Sequence, residues 1–146
     1  MHTITRSHMR QRLTFLISVP CWPVCSHRPP PRRPLRNNPV RLSITNRVVY
    51  SPHEYGPGVF AQPWFSDPNM SAILADRWQK GLGYIKDEGI APILIGEFGA
   101  KNVRTDTVEG HWINQFTTYL EHRGISWTYW SWNPNSGDTG GILQDG

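Results

Sequence analysis

Residues 91–99 read Ala-Pro-Ile-Leu-Ile-Gly-Glu-Phe-Gly, "APILIGEFG". The run is apolar from Ala91 to Ile95 and stops on a carboxylate, Glu97, held between Gly96 and Gly99. A strand apolar on both faces belongs to a sheet covered on both sides, as parallel sheets of α/β proteins are. The glycines leave room beside Glu97, so the stretch reads as a buried strand that presents one acid at its tip.

The flanking sequence fits that frame. "RVVYSPHEY" (47–55) has the β-branched and aromatic content of a strand, interrupted by Pro52 and ended by Gly56-Pro57-Gly58. After a loop holding Trp64 and Phe65, residues 69–88 place Leu74, Trp78, Leu82 and Ile85 on one helical face, with Gly89 positioned to stop the helix. Beyond "APILIGEFG", Asp106 and Glu109 have capping-box spacing, and Val108, Trp112, Phe116 and Leu120 recur at helical intervals up to Gly124. "ISWTYWSW" (125–132) is a third strand, ended by Asn133-Pro134. Strand, helix, strand, helix, strand is the order of a parallel α/β architecture.

Charge divides the chain in two. Residues 1–47 hold nine Arg, no Lys and no acid, whereas residues 48–146 hold six Lys and Arg against eleven acids. Residues 1–44 also contain seven prolines and lack helical or alternating periodicity, so the segment is expected to be mostly disordered. Three readings of it stand side by side. Arg6, Arg10 and Arg12 ahead of "LTFLISVPCWPVCS" (13–26) resemble a secretory signal, interrupted by Pro20, Trp22 and Pro23. The arginines could serve as a basic arm for nucleic acid, although Lys and interleaved aromatics are missing. Out-of-frame translation of a GC-rich gene accounts best for Arg and Pro without Lys. The expected division is 1–44 as this segment and 45–146 as the folded body.

Several classes are set aside by composition. The apolar runs fall short of the ~18 residues of a membrane span, so no membrane partner is expected. Both cysteines, Cys21 and Cys25, lie in the basic part, which removes a disulfide framework from the body. Cys21, Cys25 and His27 lack a fourth ligand nearby, and neither a metal nor another cofactor is expected.

In parallel sheets the ligand lies beyond the carboxyl ends of the strands. Those ends are His53-Glu54-Tyr55, Glu97, and Trp130-Ser131-Trp132 with Asn133. Strand alternation puts His53 and Tyr55 on one face and Glu54 on the other. Indoles stack on the apolar faces of sugar rings, polar tips bond hydroxyls, and a carboxylate supplies an acid or a nucleophile, so this rim has the composition of a sugar site.

From about Arg47 onward the chain resembles the C-terminal part of a family 5 glycoside hydrolase of the bacterial endoglucanase (cellulase) type. The resemblance rests on "RVVYSPHEYGP" (47–57), "PILIGEFG" (92–99) and "WTYWSWNPNSGDTGGIL" (127–143). It implies a partial (β/α)8 TIM barrel, the three strands being its sixth, seventh and eighth. It also implies Glu97 as nucleophile, with His53 and Tyr55 beside it, the Tyr hydrogen-bonded to the nucleophile. Trp130 becomes a platform at the cleavage subsite, in a position that often precedes a cis peptide. Trp64 either lines a glucan subsite or covers the barrel end, and Asn133 joins the substrate-binding set. The implied reaction is retaining hydrolysis of β-1,4-glucan, by a secreted, monomeric intact family member whose partner is a cello-oligosaccharide and not nucleic acid.

The family's acid/base is a Glu preceded by Asn, and the chain contains no Asn-Glu pair. A barrel takes ~250 residues. The expectation is therefore an enzyme by descent that is inactive as this chain, with the strand edge at Val48 to Tyr50 lacking its neighbour. The alternative is a non-catalytic carbohydrate-binding module that uses the aromatic rim.

Overall fold

The computed structural model describes residues 15–19, 40, 42–44 and 46–143. Among the described residues, four strands run parallel. β1 (Phe15–Val19) pairs with β2 (Val48–Pro52) in the register Phe15↔Val48 to Val19↔Pro52. β3 (Leu94–Ile95) pairs with β4 (Ser126–Trp127). Single parallel bridges, Tyr50↔Ile93 and His53↔Glu97, join the two pairs. The backbone hydrogen bonds there run from Tyr50 N–H to Pro92 O (3.0 Å) and from Gly96 N–H to Pro52 O (3.0 Å). β4 is continued by Thr128 N–H to Ile95 O and Trp130 N–H to Phe98 O, both 2.9 Å.

One expectation is corrected by β1: the edge at Val48 to Tyr50 has a neighbour, the strand Phe15–Val19. The physical reason is that the segment "FLISV" supplies a run of backbone donors and acceptors to an edge that would otherwise leave its own unpaired. Cys21, Cys25, His27 and the polyproline stretch lie outside the described residues.

The stripe Leu74, Trp78, Leu82 and Ile85 is buried as a unit. Its helix is not uniform: α1 (Met70–Trp78) passes through a π-helical turn, Gln79–Gly83, into α2 (Tyr84–Asp87). Gly89 follows at φ +62°, a left-handed conformation that favours glycine. α3 (Val108–His122) buries Trp112, Ile113, Phe116 and Leu120, while Val108, at its start, is exposed. Full burial of each such side chain contributes roughly 1.5–3 kcal/mol.

The cap of α3 differs from the expectation on Asp106. The N-cap is Thr107, whose Oγ1 accepts from Gly110 N–H (3.0 Å). Asp106 is held instead by Arg104, with Nε to Oδ1 at 3.0 Å and Nη2 to Oδ2 at 2.6 Å. Asp106 stands one residue before the N-cap, and its carboxylate is turned to Arg104.

Aromatic packing joins helices to strands. The Phe116 ring lies 4.9 Å from Trp78 and 5.4 Å, edge on, from Phe98. Phe98 also meets Trp127 and Tyr129 edge to face, at 5.3 and 5.4 Å. The residue after Glu97 is thus fixed in the core, so the strand tip that carries the acid is anchored from behind. Among the described residues, no helix is long and apolar enough to cross a membrane.

Candidate active site

β2 delivers His53 and Tyr55, and β3 delivers Glu97. The backbones meet through the His53↔Glu97 bridge and a hydrogen bond from Glu54 N–H to Glu97 O (3.1 Å). The side chains converge on one oxygen. Tyr55 Oη donates to Glu97 Oε2 at 2.8 Å, and His53 Nδ1 lies 3.2 Å from the same atom. The Glu97 side chain is 34% exposed and that of His53 25%, so the group is reachable yet walled on one side.

The Tyr55 phenol is pushed well above its ordinary range, first by burial, then by its hydrogen bond to Glu97, and then by the charges of Glu97 and Asp138. Ionising it would set a second negative charge against the carboxylate. Tyr55 therefore stays a donor across the physiological range and holds Glu97 in one orientation.

Glu54 turns the other way, as alternation requires, and its Oε1 accepts from Trp78 Nε1 at 3.1 Å. The glycines beside Glu97 do not leave open space for a ligand, contrary to expectation. A Cβ on Gly96 would lie 2.9 Å from His53 Nε2 and against the buried Ser51 hydroxyl. A Cβ on Gly99 would run into the backbone carbonyl of Trp130. Both positions are filled by neighbouring strands, so the glycines set strand approach.

Trp130 is 46% exposed, beside Trp127 at 50% and Trp132 at 67%. The Trp130–Ser131 peptide is cis. Asn133 is exposed, and its carbonyl accepts from Ser131 Oγ at 2.8 Å. The Trp64 ring packs on the core and on Phe65, with the Arg77 guanidinium 4.0 Å above it. The structure thus brings Glu97, His53 and Tyr55 into contact, seats the Trp130 backbone against Gly99, and ties Trp64 to α1.

Ser51 and Asp138 are not among the residues that the sequence singles out. Ser51 shares the parity of His53 and Tyr55, which was the available signal. Asp138 acts on Tyr55 from a turn in which Ser136 Oγ donates to its Oδ1 (2.9 Å) and Lys101 Nζ donates to Gly137 O (3.2 Å).

Parallel strands joined by helices, with a carboxylate, an imidazole and a phenol grouped at their carboxyl ends, define an α/β protein built to work at its strand ends. The family model Cellulase (glycosyl hydrolase family 5) matches residues 25–136, and the chain belongs to that family. An endoglucanase of Paenibacillus polymyxa is 53% identical over 109 residues, covering 75% of this chain and 28% of that protein. The major extracellular endoglucanase of Xanthomonas campestris pv. campestris is 41% identical over 114 residues, covering 77% and 23%. Among solved structures, the hyperthermophilic endocellulase of Pyrococcus horikoshii superposes with a TM-score of 0.69 at 41% identity, covering 77% of this chain and 30% of that one. The catalytic domain of the Xanthomonas enzyme gives 0.68 at 40% identity, covering 84% and 36%. The chain therefore spans between about a fifth and a little over a third of the length of the relatives it matches.

Proposed function

We propose that this chain carries the nucleophile side of a retaining β-1,4-glucan hydrolase, in the last three βα units of a family 5 barrel. The observation that carries the reading is the double contact on Glu97 Oε2, from Tyr55 and His53. With that oxygen engaged, Oε1 is the atom available to attack. In the retaining mechanism a general acid protonates the leaving oxygen while Oε1 bonds to the anomeric carbon, and the bond to the leaving sugar breaks with its electron pair. Water then opens the glycosyl ester. A complex of a Pyrococcus horikoshii endocellulase variant with cellotetraose supports a cello-oligosaccharide as the ligand class. The extracellular relative supports secretion of the intact protein.

The reaction needs a second carboxyl ~5–5.5 Å from the first. Glu54 is committed to Trp78, and no Asn-Glu pair occurs in the sequence. The 146 residues alone are therefore expected to be inactive. Incubating the purified chain with carboxymethylcellulose tests this directly: no reducing ends should form, and turnover that Glu97→Gln abolishes would overturn the claim of inactivity.

The exposure of Trp127, Trp130 and Trp132 favours a second reading, a carbohydrate-binding module. Saturable cello-oligosaccharide binding, lost on Trp130→Ala in a chain that melts cooperatively, would select it.

A further inference from the structure

The first turn of α3 meets both of the loops that leave the site. The loop after Tyr55 turns tightly at Gly56, whose carbonyl accepts from Val59 N–H (3.2 Å) and Phe60 N–H (3.1 Å). Two glycines seat this loop on the helix. A Cβ on Gly56 would lie 2.7 Å from Trp112 Cδ2, and one on Gly58 would lie 2.8 Å from Glu109 Cδ. The loop after Glu97 reaches the same carboxylate, for Asn102 N–H donates to Glu109 Oε2 at 3.0 Å. Glu109 thus touches the continuation of both strands that carry the site.

A carboxylate in the first turn of α3 suits the helix dipole, but neither that nor capping accounts for where its oxygens go. Thr107 caps α3, and Glu109 does not complete a capping box, since its carboxylate goes to Asn102. Its other oxygen, Oε1, is buried and has no hydrogen-bond partner. An unpaired buried acceptor opposes folding, more so when it is charged. What the side chain does supply is a fixed span between the two loops.

The geometry points to Glu109 as a positioning residue for the Tyr55–Glu97 pair, its carboxylate setting the separation of the loops that follow them. The inference deepens the reading of Glu97 as nucleophile and rests on it for its functional meaning, whereas its test reads geometry alone. The carboxymethylcellulose assay and cello-oligosaccharide binding therefore bear on that reading and not on this one.

The test is fluorine NMR of the whole 146-residue chain labelled with 3-fluorotyrosine, the Tyr55 resonance being assigned by its loss in Tyr55→Phe. The groups that bear on Tyr55 are Glu97, which accepts its hydrogen bond and raises its pKa, and Asp138, whose charge adds to that effect. His53 shares the Glu97 oxygen. In Glu109→Ala the Tyr55 signal should move toward that of a free phenol and titrate at lower pH, because the hold of Glu97 is loosened. Glu109→Gln, whose amide oxygen still accepts from Asn102 N–H, should restore both. Val108→Ala, one residue away at an exposed position, should leave Tyr55 unchanged.

A wild-type Tyr55 signal and titration in Glu109→Ala would overturn the proposal. So would a shift of equal size in Val108→Ala or Glu109→Gln. If Glu109→Ala loses its cooperative melt, Gly58→Ala takes its place, since the new methyl drives the carboxyl off the loop. An unmoved Tyr55 in that variant would overturn the proposal equally.

Discussion

The backbone carbonyl of Trp130 fills the space in which Gly99 would carry a side chain. Gly99 lies two residues beyond Glu97, and Trp130 is one of the exposed indoles of the rim, so a single missing Cβ sets how closely the two strand ends approach. Gly99→Ala must displace either β4 or the loop after β3. Overpacking of this kind costs typically 1–3 kcal/mol, and about 2 kcal/mol is expected here from urea unfolding. The Trp130 fluorescence should shift in the same variant, as it would not if the strain were absorbed elsewhere.

Gly96→Ala tests the other glycine. Its Cβ would press on the Ser51 hydroxyl and on the ring of His53, which contacts Glu97. Widening β2 from β3 should lengthen the 3.2 Å approach of His53 Nδ1 to Glu97 Oε2. Imidazole nitrogen shifts from NMR should change for His53 while those of His111 and His122, on α3, stay in place. If His53 is unaffected, Gly96 is not what allows the approach.

What was legible in the sequence follows from periodicity. Leu74, Trp78, Leu82 and Ile85 could be read as one buried face because helical spacing survives even the π turn that interrupts it. His53 and Tyr55 could be paired, and Glu54 excluded, because strand alternation is local. β1 was not legible: five residues among prolines carry too few repeats to declare a period, and their pairing depends on an edge some thirty residues away. The position of Trp64 under Arg77 depends on a loop path, which no spacing encodes. The purpose of Gly96 and Gly99 was misread for a related reason. A glycine shows that something comes close, and only the fold says that it is His53 or Trp130 and not a ligand.

The cap of α3 separates two adjacent residues that both suit the role. Thr107→Ala removes the bond to Gly110 N–H and should cost about 1 kcal/mol. Asp106→Ala removes only an exposed pair with Arg104 and should leave stability close to that of the parent. Paired thermal or urea melts decide between them, and a larger loss in Asp106→Ala would return the cap to Asp106.

The Tyr55 phenol predicts the alkaline limit of the fold. Its pKa is raised in the folded chain by burial and by the hydrogen bond and charge of Glu97, whereas in the unfolded chain it titrates near the ordinary ~10. The folded state thus holds its proton more tightly than the unfolded one does. The stabilisation from this group is complete below the unfolded value and declines as pH rises above ~10 toward the folded one. Unfolding free energy measured in urea should accordingly fall across that alkaline range. Tyr55→Phe should be less stable than the parent at neutral pH, because Glu97 loses a donor, and should show a shallower alkaline decline. Parallel curves for the two proteins above ~10 would mean that Tyr55 titrates as a free phenol and that its contact with Glu97 does not hold in solution.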